Sequence, residues 1–264
     1  MIGVEFATIF NKLGSKVTII EMLPQIIATE DDKVIQALTY LLQKDGITIF
    51  TESKVTGVST EKEKVKVAFQ DKEGKPQIVE TEKVLMAIGR APYTEGLGLE
   101  KIGIDFEGKF IKVNSKMETN VPGIYAIGDV VGNLMLAHVA SAEGIVAAEN
   151  IMGGNSYMEY EKVPNCIYTS PEIASVGLTE QEAREKGYKV SVGTFPYQFS
   201  GRALAIEEPE GFVKIIAKKE LGEILGVHII GENATDLIGE GLLAMELEAS
   251  VEELGKIVKG HPTF

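Results

Sequence analysis

The stretch Thr119–Val131, TNVPGIYAIGDVV, constrains the fold more than any other part of this 264-residue sequence. Its apolar run Ile124–Ile127 is too short for a helix and ends at Gly128, which predicts a strand. Asp129 then stands at the carboxyl end of that strand. In open α/β sheets ligands bind at this edge, where a carboxylate can accept hydrogen bonds from ribose or polyol hydroxyls. The competing interpretation is an ordinary turn aspartate after a buried strand.

The first 21 residues predict a helix followed by a strand that ends in an acid. Apolar residues recur at helical spacing up to Leu13, and the strand Lys16–Ile20 leads to Glu21. This order is the back half of a dinucleotide-binding βαβ unit, in which Gly3 is the last glycine of the fingerprint. A carboxylate at Glu21 suits the ribose hydroxyls of NAD and would repel the 2′-phosphate of NADP. The alternative is a solvated glutamate at a strand end.

The segments that follow predict one helix, several short strands and one buried strand. The helix covers 32–44. The short strands should form a small antiparallel excursion and are expected at 47–51, 55–59, 65–69 and 77–80. The fully apolar run Val84–Ile88 predicts a central strand, and Gly89 and Arg90 follow it.

A helix of small residues is expected after Asp129, from about Leu136 to Asn150. Its N-terminus offers unpaired backbone N–H groups and the positive end of the helix dipole, which stabilise an anion by about 0.3–1 kcal/mol at exposed sites. His138 lies at this helix start and could be a ligand. On residue type alone, an ordinary helix-start histidine is the favoured interpretation.

From about Tyr157 the pattern predicts a separate α+β unit. Two helix starts are marked by the capping boxes Thr179-x-x-Glu182 and Ser250-x-x-Glu253. The helical segment Ala234–Glu248 has an apolar stripe that suits either a core or a dimer face. Strands are expected near 165–168, 189–194, 212–217 and 224–230.

His261 lies between Gly260, which should end the last helix, and Pro262. A histidine held in this way can act as a general base if a carboxylate orients its other ring nitrogen. A terminal histidine without a function is the simpler alternative.

Composition narrows the classes of function. With 26 basic and 39 acidic residues the net charge is −13, which disfavours nucleic acid and anionic membranes as partners. No apolar run approaches the roughly 18 residues of a membrane span, and no basic signal-peptide head begins the chain, so we expect a cytoplasmic or similarly reducing compartment. Cys166 is the single cysteine; its apolar context indicates a small buried residue, and an internal disulfide is excluded. No metal site is predicted.

Taken together, the motifs resemble the C-terminal part of the pyridine nucleotide–disulfide oxidoreductases, and within that family most closely the lipoamide (dihydrolipoyl) dehydrogenases. The resemblance covers essentially the whole chain. IGVEFA at 2–7 is similar to the end of the family's NAD fingerprint, AIGRAP at 87–92 to its A-x-G-R-x-P segment, and 119–129 to its second FAD motif. VP at 163–164 with YTSPE at 168–172 resembles the start of its dimerisation domain, and 261–263 its catalytic H-P-T.

The resemblance implies an α/β fold in three parts. These are a partial Rossmann-like NAD-binding domain at 1–90, a central segment contributing to an FAD site at 91–155, and an α+β dimerisation domain at 156–264. The first strand and first glycines of the NAD domain have no counterpart in the sequence, and the dimerisation domain is expected to be truncated at its C-terminus.

The resemblance also implies roles for individual residues. Asp129 would bind the ribityl chain of FAD, and the N–H groups near Ala137 and His138 would face the pyrimidine edge of the flavin, where a positive helix end stabilises developing charge. His261 would be the base that deprotonates the dihydrolipoyl dithiol in the partner subunit, because the thiolate is the reactive form. The NAD site would use Gly3 and Glu21, with Gly89 close to the nicotinamide.

The implied activity is FAD-dependent oxidation of dihydrolipoamide to lipoamide with reduction of NAD. The implied partners are a second copy of the chain and the dihydrolipoyl group of a 2-oxo acid dehydrogenase or glycine-cleavage complex. Three departures from the family pattern are visible: there is no redox-active cysteine pair, no acid follows H-P-T, and Lys259-Gly260 replaces the frequent His-Ala.

Met1 stands where another fingerprint residue is expected. We therefore expect a fragment of a longer enzyme that is inactive by itself. Two alternatives stay open, namely another NADH-linked flavoprotein disulfide reductase and a non-catalytic module that binds a nucleotide or dimerises.

Overall fold

The structure is a computed structural model that describes residues 1–62 and 64–264. Helices and strands are mixed along the chain, which confirms the α/β class. The residues group by their contacts into two compact units: 1–87 together with 164–264, and 88–163. The division into 1–90, 91–155 and 156–264 stays a prediction. No helix among the described residues is long and apolar enough to cross a membrane.

The first unit begins with the predicted helix, strand and second helix. Its elements are α1 (Ile2–Lys12), β1 (Thr18–Ile20), α2 (Asp32–Lys44) and β2 (Thr48–Phe50). Helix α2 begins where it does because the Asp31 carboxylate accepts a hydrogen bond from the Lys33 N–H at 3.0 Å. Strands β1 and β2 pair in parallel. The prediction that 47–51 joins the antiparallel excursion is therefore wrong.

The antiparallel excursion consists of three strands, β3 (Lys54–Glu61), β4 (Lys64–Gln70) and β5 (Pro76–Thr81), in the order β3-β4-β5. The turn between β4 and β5 forms because the Asp71 carboxylate accepts the backbone N–H groups of Glu73 and Lys75. The predicted strands at 55–59, 65–69 and 77–80 are confirmed.

The apolar run Val84–Ile88 is not a strand. It has no regular hydrogen-bonding pattern, and Leu85 and Ile88 are 54% and 90% exposed. An apolar strand is stable inside a sheet only when neighbouring strands pair with its edges and other elements cover its faces. No described strand pairs with this run, so the prediction of a central strand is wrong for this chain.

The second unit contains two very short strands, β6 (Phe106–Glu107) and β7 (Phe110–Ile111), and the helix α3 (Ala137–Ile151). The predicted strand Ile124–Ile127 is absent as well. Tyr125 makes only an isolated bridge, and the Thr119 N–H and hydroxyl both donate to the Ile124 carbonyl, which folds the segment into a local turn.

The rest of the first unit is built on a five-stranded antiparallel sheet in the order β10-β11-β12-β9-β8. Its strands are β8 (Asn165–Ile167), β9 (Glu172–Gly177), β10 (Val190–Pro196), β11 (Phe212–Lys218) and β12 (Ile224–Gly231), and its helices are α4 (Glu180–Glu185), α5 (Gly201–Ala205), α6 (Ala234–Glu246) and α7 (Val251–Lys256). The four predicted strands and both capping boxes are confirmed. Sequence reasoning missed β9.

A continuous core joins the two helices near the N-terminus to this sheet. Val4 of α1 and Leu38 of α2 belong to the same buried cluster as Ile173 of β9 and Ile230 of β12. A buried ion cluster lies in the same unit, where the Lys214 ammonium contacts the carboxylates of Asp31 and Glu180, each at 2.8 Å.

Candidate functional site

Asp129 lies in a one-turn 3-10 helix, Gly128–Val130, rather than at the end of a strand. Gly128 has φ +75°, a conformation that disfavours any residue with a Cβ, and a Cβ there would lie 3.3 Å from the Cβ of Ala140. The Asp129 side chain is one-third exposed and accepts a hydrogen bond from the Arg90 guanidinium. A carboxylate is thus presented at the surface of the second unit with a cation beside it.

Helix α3 begins at Ala137, one residue after the predicted start region, and its N-cap is Leu136. Because the leucine side chain has no oxygen to offer, the N-cap residue makes no capping hydrogen bond to the first turn. Ala137 and His138 are both exposed in this first turn. The positive end of a 15-residue helix therefore lies shortly after the Asp129 turn along the chain.

Glu143 anchors the Asp129 turn from inside helix α3. Its side chain is buried, at 1% exposure, and its carboxylate accepts the Gly128 N–H at 2.6 Å and the Tyr160 hydroxyl at 2.7 Å. The Tyr160 oxygen in turn accepts a hydrogen bond from the Asn133 side-chain amide at 2.8 Å. Burial and the hydrogen bond to Glu143 raise the pKa of Tyr160 to about 12, so the phenol stays protonated and donates.

Sequence reasoning missed Arg90, Glu143 and Tyr160 as parts of this site. Arg90 was visible as the arginine of the AIGRAP segment. The signal for Glu143 was a single acid in the middle of a helix of small residues, AHVASAEGIVAAENI. Nothing local in the sequence marks Tyr160.

Glu21 follows β1 directly, as predicted. Its N–H donates to the Phe50 carbonyl at 2.8 Å, which extends the pairing of β1 with β2 by one residue. Its side chain is half-buried and one oxygen accepts the Leu23 N–H at 2.9 Å. The carboxylate is therefore held at the carboxyl end of a parallel strand, where a ribose-binding acid is expected.

Gly89, but not Gly3, occupies a position where a side chain is disfavoured. Gly3 lies in the first turn of α1, where a Cβ would make an ordinary van der Waals contact with the Cβ of Ala87 at 3.4 Å. Gly89 has φ +125° and is exposed, directly before Arg90. Gly3 and Glu21 belong to the first unit, and Gly89 belongs to the second with Asp129.

His261 is exposed and follows α7, which ends at Lys256 rather than at the predicted Gly260. Two contacts order the segment around it. The Thr263 hydroxyl donates to the Gly260 carbonyl at 2.8 Å, and the Phe264 ring lies 5.2 Å from that of Tyr197.

Burial raises the pKa of the Cys166 thiol, which disfavours a nucleophilic role. Among residues 1–62 and 64–264 no group of three or more His, Cys, Asp and Glu side chains is arranged to hold a metal ion.

Two family models match the chain. The model described as "Pyridine nucleotide-disulphide oxidoreductase" matches residues 1–144. The model described as "Pyridine nucleotide-disulphide oxidoreductase, dimerisation domain" matches residues 163–264. The two matches together account for nearly the whole chain.

Similar proteins include the dihydrolipoyl dehydrogenase of Thermus scotoductus, 44% identical over all of this chain and 57% of that protein. The leghemoglobin reductase of Glycine max is 41% identical over all of this chain and 51% of its own length. The crystal structure of LpdA from Mycobacterium tuberculosis superposes with a TM-score of 0.91 at 29% identity, covering 99% of this chain and 57% of that one. The chain thus spans about half the length of the curated relatives it matches.

Proposed function

The chain belongs to the pyridine nucleotide–disulphide oxidoreductase family, and from this premise we propose that it is the C-terminal part of a dihydrolipoyl dehydrogenase. The observation that carries the proposal is the Asp129 turn: a surface carboxylate is followed along the chain by a 15-residue helix whose N-cap residue is a leucine. Identity of 44% to a dihydrolipoyl dehydrogenase over the whole chain supports the substrate assignment.

The proposed reaction converts dihydrolipoamide to lipoamide. The dithiol loses two electrons and two protons, of which a hydride equivalent reaches NAD and one proton reaches solvent. Bound FAD would supply the two-electron transfer between the dithiol–disulfide couple and NAD. A longer protein would have to contribute the redox-active cysteine pair, because this chain has one cysteine.

The residues present fit FAD in two respects. The exposed Asp129 carboxylate can accept hydrogen bonds from the ribityl hydroxyls, and Arg90 beside it can release it to do so because that ion pair is exposed. The N–H groups at Ala137 and His138 are suited to carbonyl oxygens or partial negative charge on the flavin ring. These residues would hold the cofactor and would not take part in the chemistry.

The residues also fit NAD. Glu21 is held half-buried at the end of β1 with its carboxylate fixed by the Leu23 N–H. An acid at this position accepts hydrogen bonds from ribose hydroxyls. Gly3 in the first turn of α1 would allow close approach of the dinucleotide backbone.

His261 is proposed as the base that removes a proton from the dithiol, in the active site of a partner subunit. Its exposure and the contacts that order its turn support a role outside the unit that carries it. The match of residues 163–264 to a dimerisation domain supports a homodimer. The dihydrolipoyl group would come from a 2-oxo acid dehydrogenase or glycine-cleavage complex.

We further propose a reducing compartment such as the cytoplasm. The single cysteine, which leaves no internal disulfide within this chain, supports this location. Fractionation of the source cells, followed by detection of the chain with an antibody, tests it.

The first experiment reads the DNA upstream of the codon for Met1. A continuous frame that encodes G-x-G-x-x-G and a Cys-x4-Cys pair supports the proposal. A stop codon followed by a ribosome-binding signal would instead favour a non-catalytic nucleotide-binding or dimerisation module.

The second experiment assays NAD reduction by dihydrolipoamide in the complete frame and in H261Q. Loss of a general base should lower kcat roughly 10²–10⁴-fold. This decrease in kcat should become smaller as the assay pH approaches the ordinary thiol pKa of about 8.5, because thiolate then forms without a base. A bound-flavin content equal to that of the wild type is the control for folding. An H261Q variant with wild-type kcat at neutral pH would remove His261 from the mechanism.

A second candidate is another NADH-linked flavoprotein reductase, because a relative named leghemoglobin reductase is 41% identical over the same residues. Comparing kcat/KM for dihydrolipoamide with that for glutathione disulfide and for a haem protein separates these activities. In the same preparation, Glu21→Arg should weaken NAD relative to NADP.

A further inference from the structure

We propose that Glu143 is a positioning residue for the cofactor site, holding the Gly128 turn in the one conformation that presents Asp129 to a ligand. The inference rests on the proposed role of Asp129 in flavin binding. It concerns a residue that contacts neither the proposed cofactor atoms nor the reacting groups, and that acts through the backbone of its neighbour.

The Glu143 carboxylate is buried in the second unit. At 1% exposure, an ionised carboxylate is stable only if hydrogen-bond donors replace the water it has lost. Two donors do so: the Gly128 N–H at 2.6 Å and the Tyr160 hydroxyl at 2.7 Å. A bond from a neutral donor to a charged acceptor is among the stronger ones in proteins.

Gly128 is fixed on both sides. Its N–H donates to Glu143 of α3, and its φ of +75° sets the direction in which the chain continues into Asp129. Within the turn, the Val131 N–H also donates to the Gly128 carbonyl at 3.0 Å. Losing the Glu143 bond therefore removes the contact that ties the start of the turn to the helix.

The loop is linked to Glu143 a second time at Asn133, five residues after Gly128. Asn133 donates to Tyr160, and Tyr160 donates to Glu143. The loop between Gly128 and α3 is thus tied to Glu143 at both ends, directly at Gly128 and through the phenol at Asn133. Helix α3 also carries Ala137 and His138 in its first turn. The Glu143 carboxylate therefore links the two proposed flavin-contacting parts, the Asp129 turn and the start of α3.

The first test measures hydrogen–deuterium exchange over residues 124–136 in the chain as it is. Glu143→Ala should raise the exchange rate of the Gly128 amide roughly tenfold, and Glu143→Gln should restore protection because its amide oxygen still accepts that N–H. Glu149→Ala is the matched control, since Glu149 is an exposed acid of the same helix that accepts a hydrogen bond from Ser156. Equal exchange in E143A and wild type overturns the inference.

The second test is a double-mutant cycle on FAD affinity, measured by flavin fluorescence in the complete reading frame. E143A and D129A should each lower the affinity for FAD roughly tenfold, and E143Q should bind FAD about as tightly as the wild type. The double variant should bind FAD as tightly as the single variant with the lower affinity. Fully additive losses would mean that Glu143 acts independently of Asp129 and would overturn the inference. If D129A leaves the affinity unchanged, the proposed function fails, and the exchange result alone decides whether Glu143 holds the turn.

Discussion

Two aspartates of this chain each form an ion pair, and their surroundings differ sharply. Asp31 pairs with Lys214 in the first unit, with side-chain exposures of 2% and 4%. Asp129 pairs with Arg90 in the second unit, with exposures of 33% and 57%. The carboxylate–cation pair is therefore buried in the first unit and exposed to solvent in the second.

The difference separates a buried acid with a structural role from an exposed acid that solvent or a ligand can reach. Asp31 uses its oxygens internally: it accepts two bonds from Lys214, the Lys33 N–H at the start of α2, and the Glu180 N–H. Asp129 can exchange Arg90 for another partner, because an exposed ion pair contributes only about 0–1 kcal/mol. Burial and partner number, rather than residue type, distinguish the two.

The largest expected effect is at the buried pair. Lys214→Met should lower the free energy of unfolding by about 3 kcal/mol, because it leaves the Asp31 charge buried without its cation. Urea unfolding measures the change. Lys218→Met is the matched control, since Lys218 lies on the same strand and pairs with the more exposed Glu223; its cost should stay below about 1 kcal/mol. Equal costs for both variants would contradict the distinction drawn between buried and exposed pairs.

A smaller effect is expected on the pH dependence of stability. Burial alone would raise the pKa of the Asp31 carboxyl, but hydrogen bonds from Lys214 and from the Glu180 N–H outweigh burial and lower the pKa below 3.8. The unfolded chain therefore binds this proton at higher pH than the folded chain. The stabilisation is fully present above about pH 4 and is lost as pH falls through the lowered pKa.

Urea midpoints measured from about pH 6 to about pH 3 should fall less steeply in K214M than in the wild type. Hydrogen bonding to Lys214 also lowers the pKa of Glu180, so both carboxylates contribute to the difference. Parallel pH profiles in the two proteins would show that Lys214 does not set these pKa values.

The smallest expected effect is at the exposed pair. Arg90→Ala should change the free energy of unfolding by less than about 1 kcal/mol, and added salt should reduce even that difference because exposed charges are screened. Urea unfolding at low and high salt measures it. A loss as large as that of K214M would show that Asp129 is a structural acid, and would weaken its proposed role in cofactor binding.

Two apolar runs show how far the sequence predicted the fold. The sequence predicted both β12 and Val84–Ile88 as strands. In β12 all eight residues are buried, because β11 and β9 pair with its edges and α6 packs against it. Val84–Ile88 has no pairing strand among the described residues and stays irregular and exposed. An apolar run shows that a segment can be buried, but whether it becomes part of a sheet depends on whether other strands pair with it.

Local signals predicted the elements that depend on local contacts. The helix–strand order before Glu21, the Asp71 turn and both capping boxes are formed by residues a few positions apart, and sequence periodicity and spacing carry that information. Strand β9 was missed although it follows its partner β8 closely along the chain; its other partner, β12, is distant in sequence.

By itself the sequence determined which chemical groups are available: carboxylates at Glu21 and Asp129, an imidazole at His261, and a helix whose N-cap residue is a leucine. The tertiary structure decided which groups meet. It brings Arg90 to Asp129 across 39 positions and Lys214 to Asp31 across 183, and it buries Glu143 beneath the Gly128 turn. The physical reason is that burial and charge pairing depend on contacts between distant segments, whereas helix starts and turns depend on neighbours along the chain.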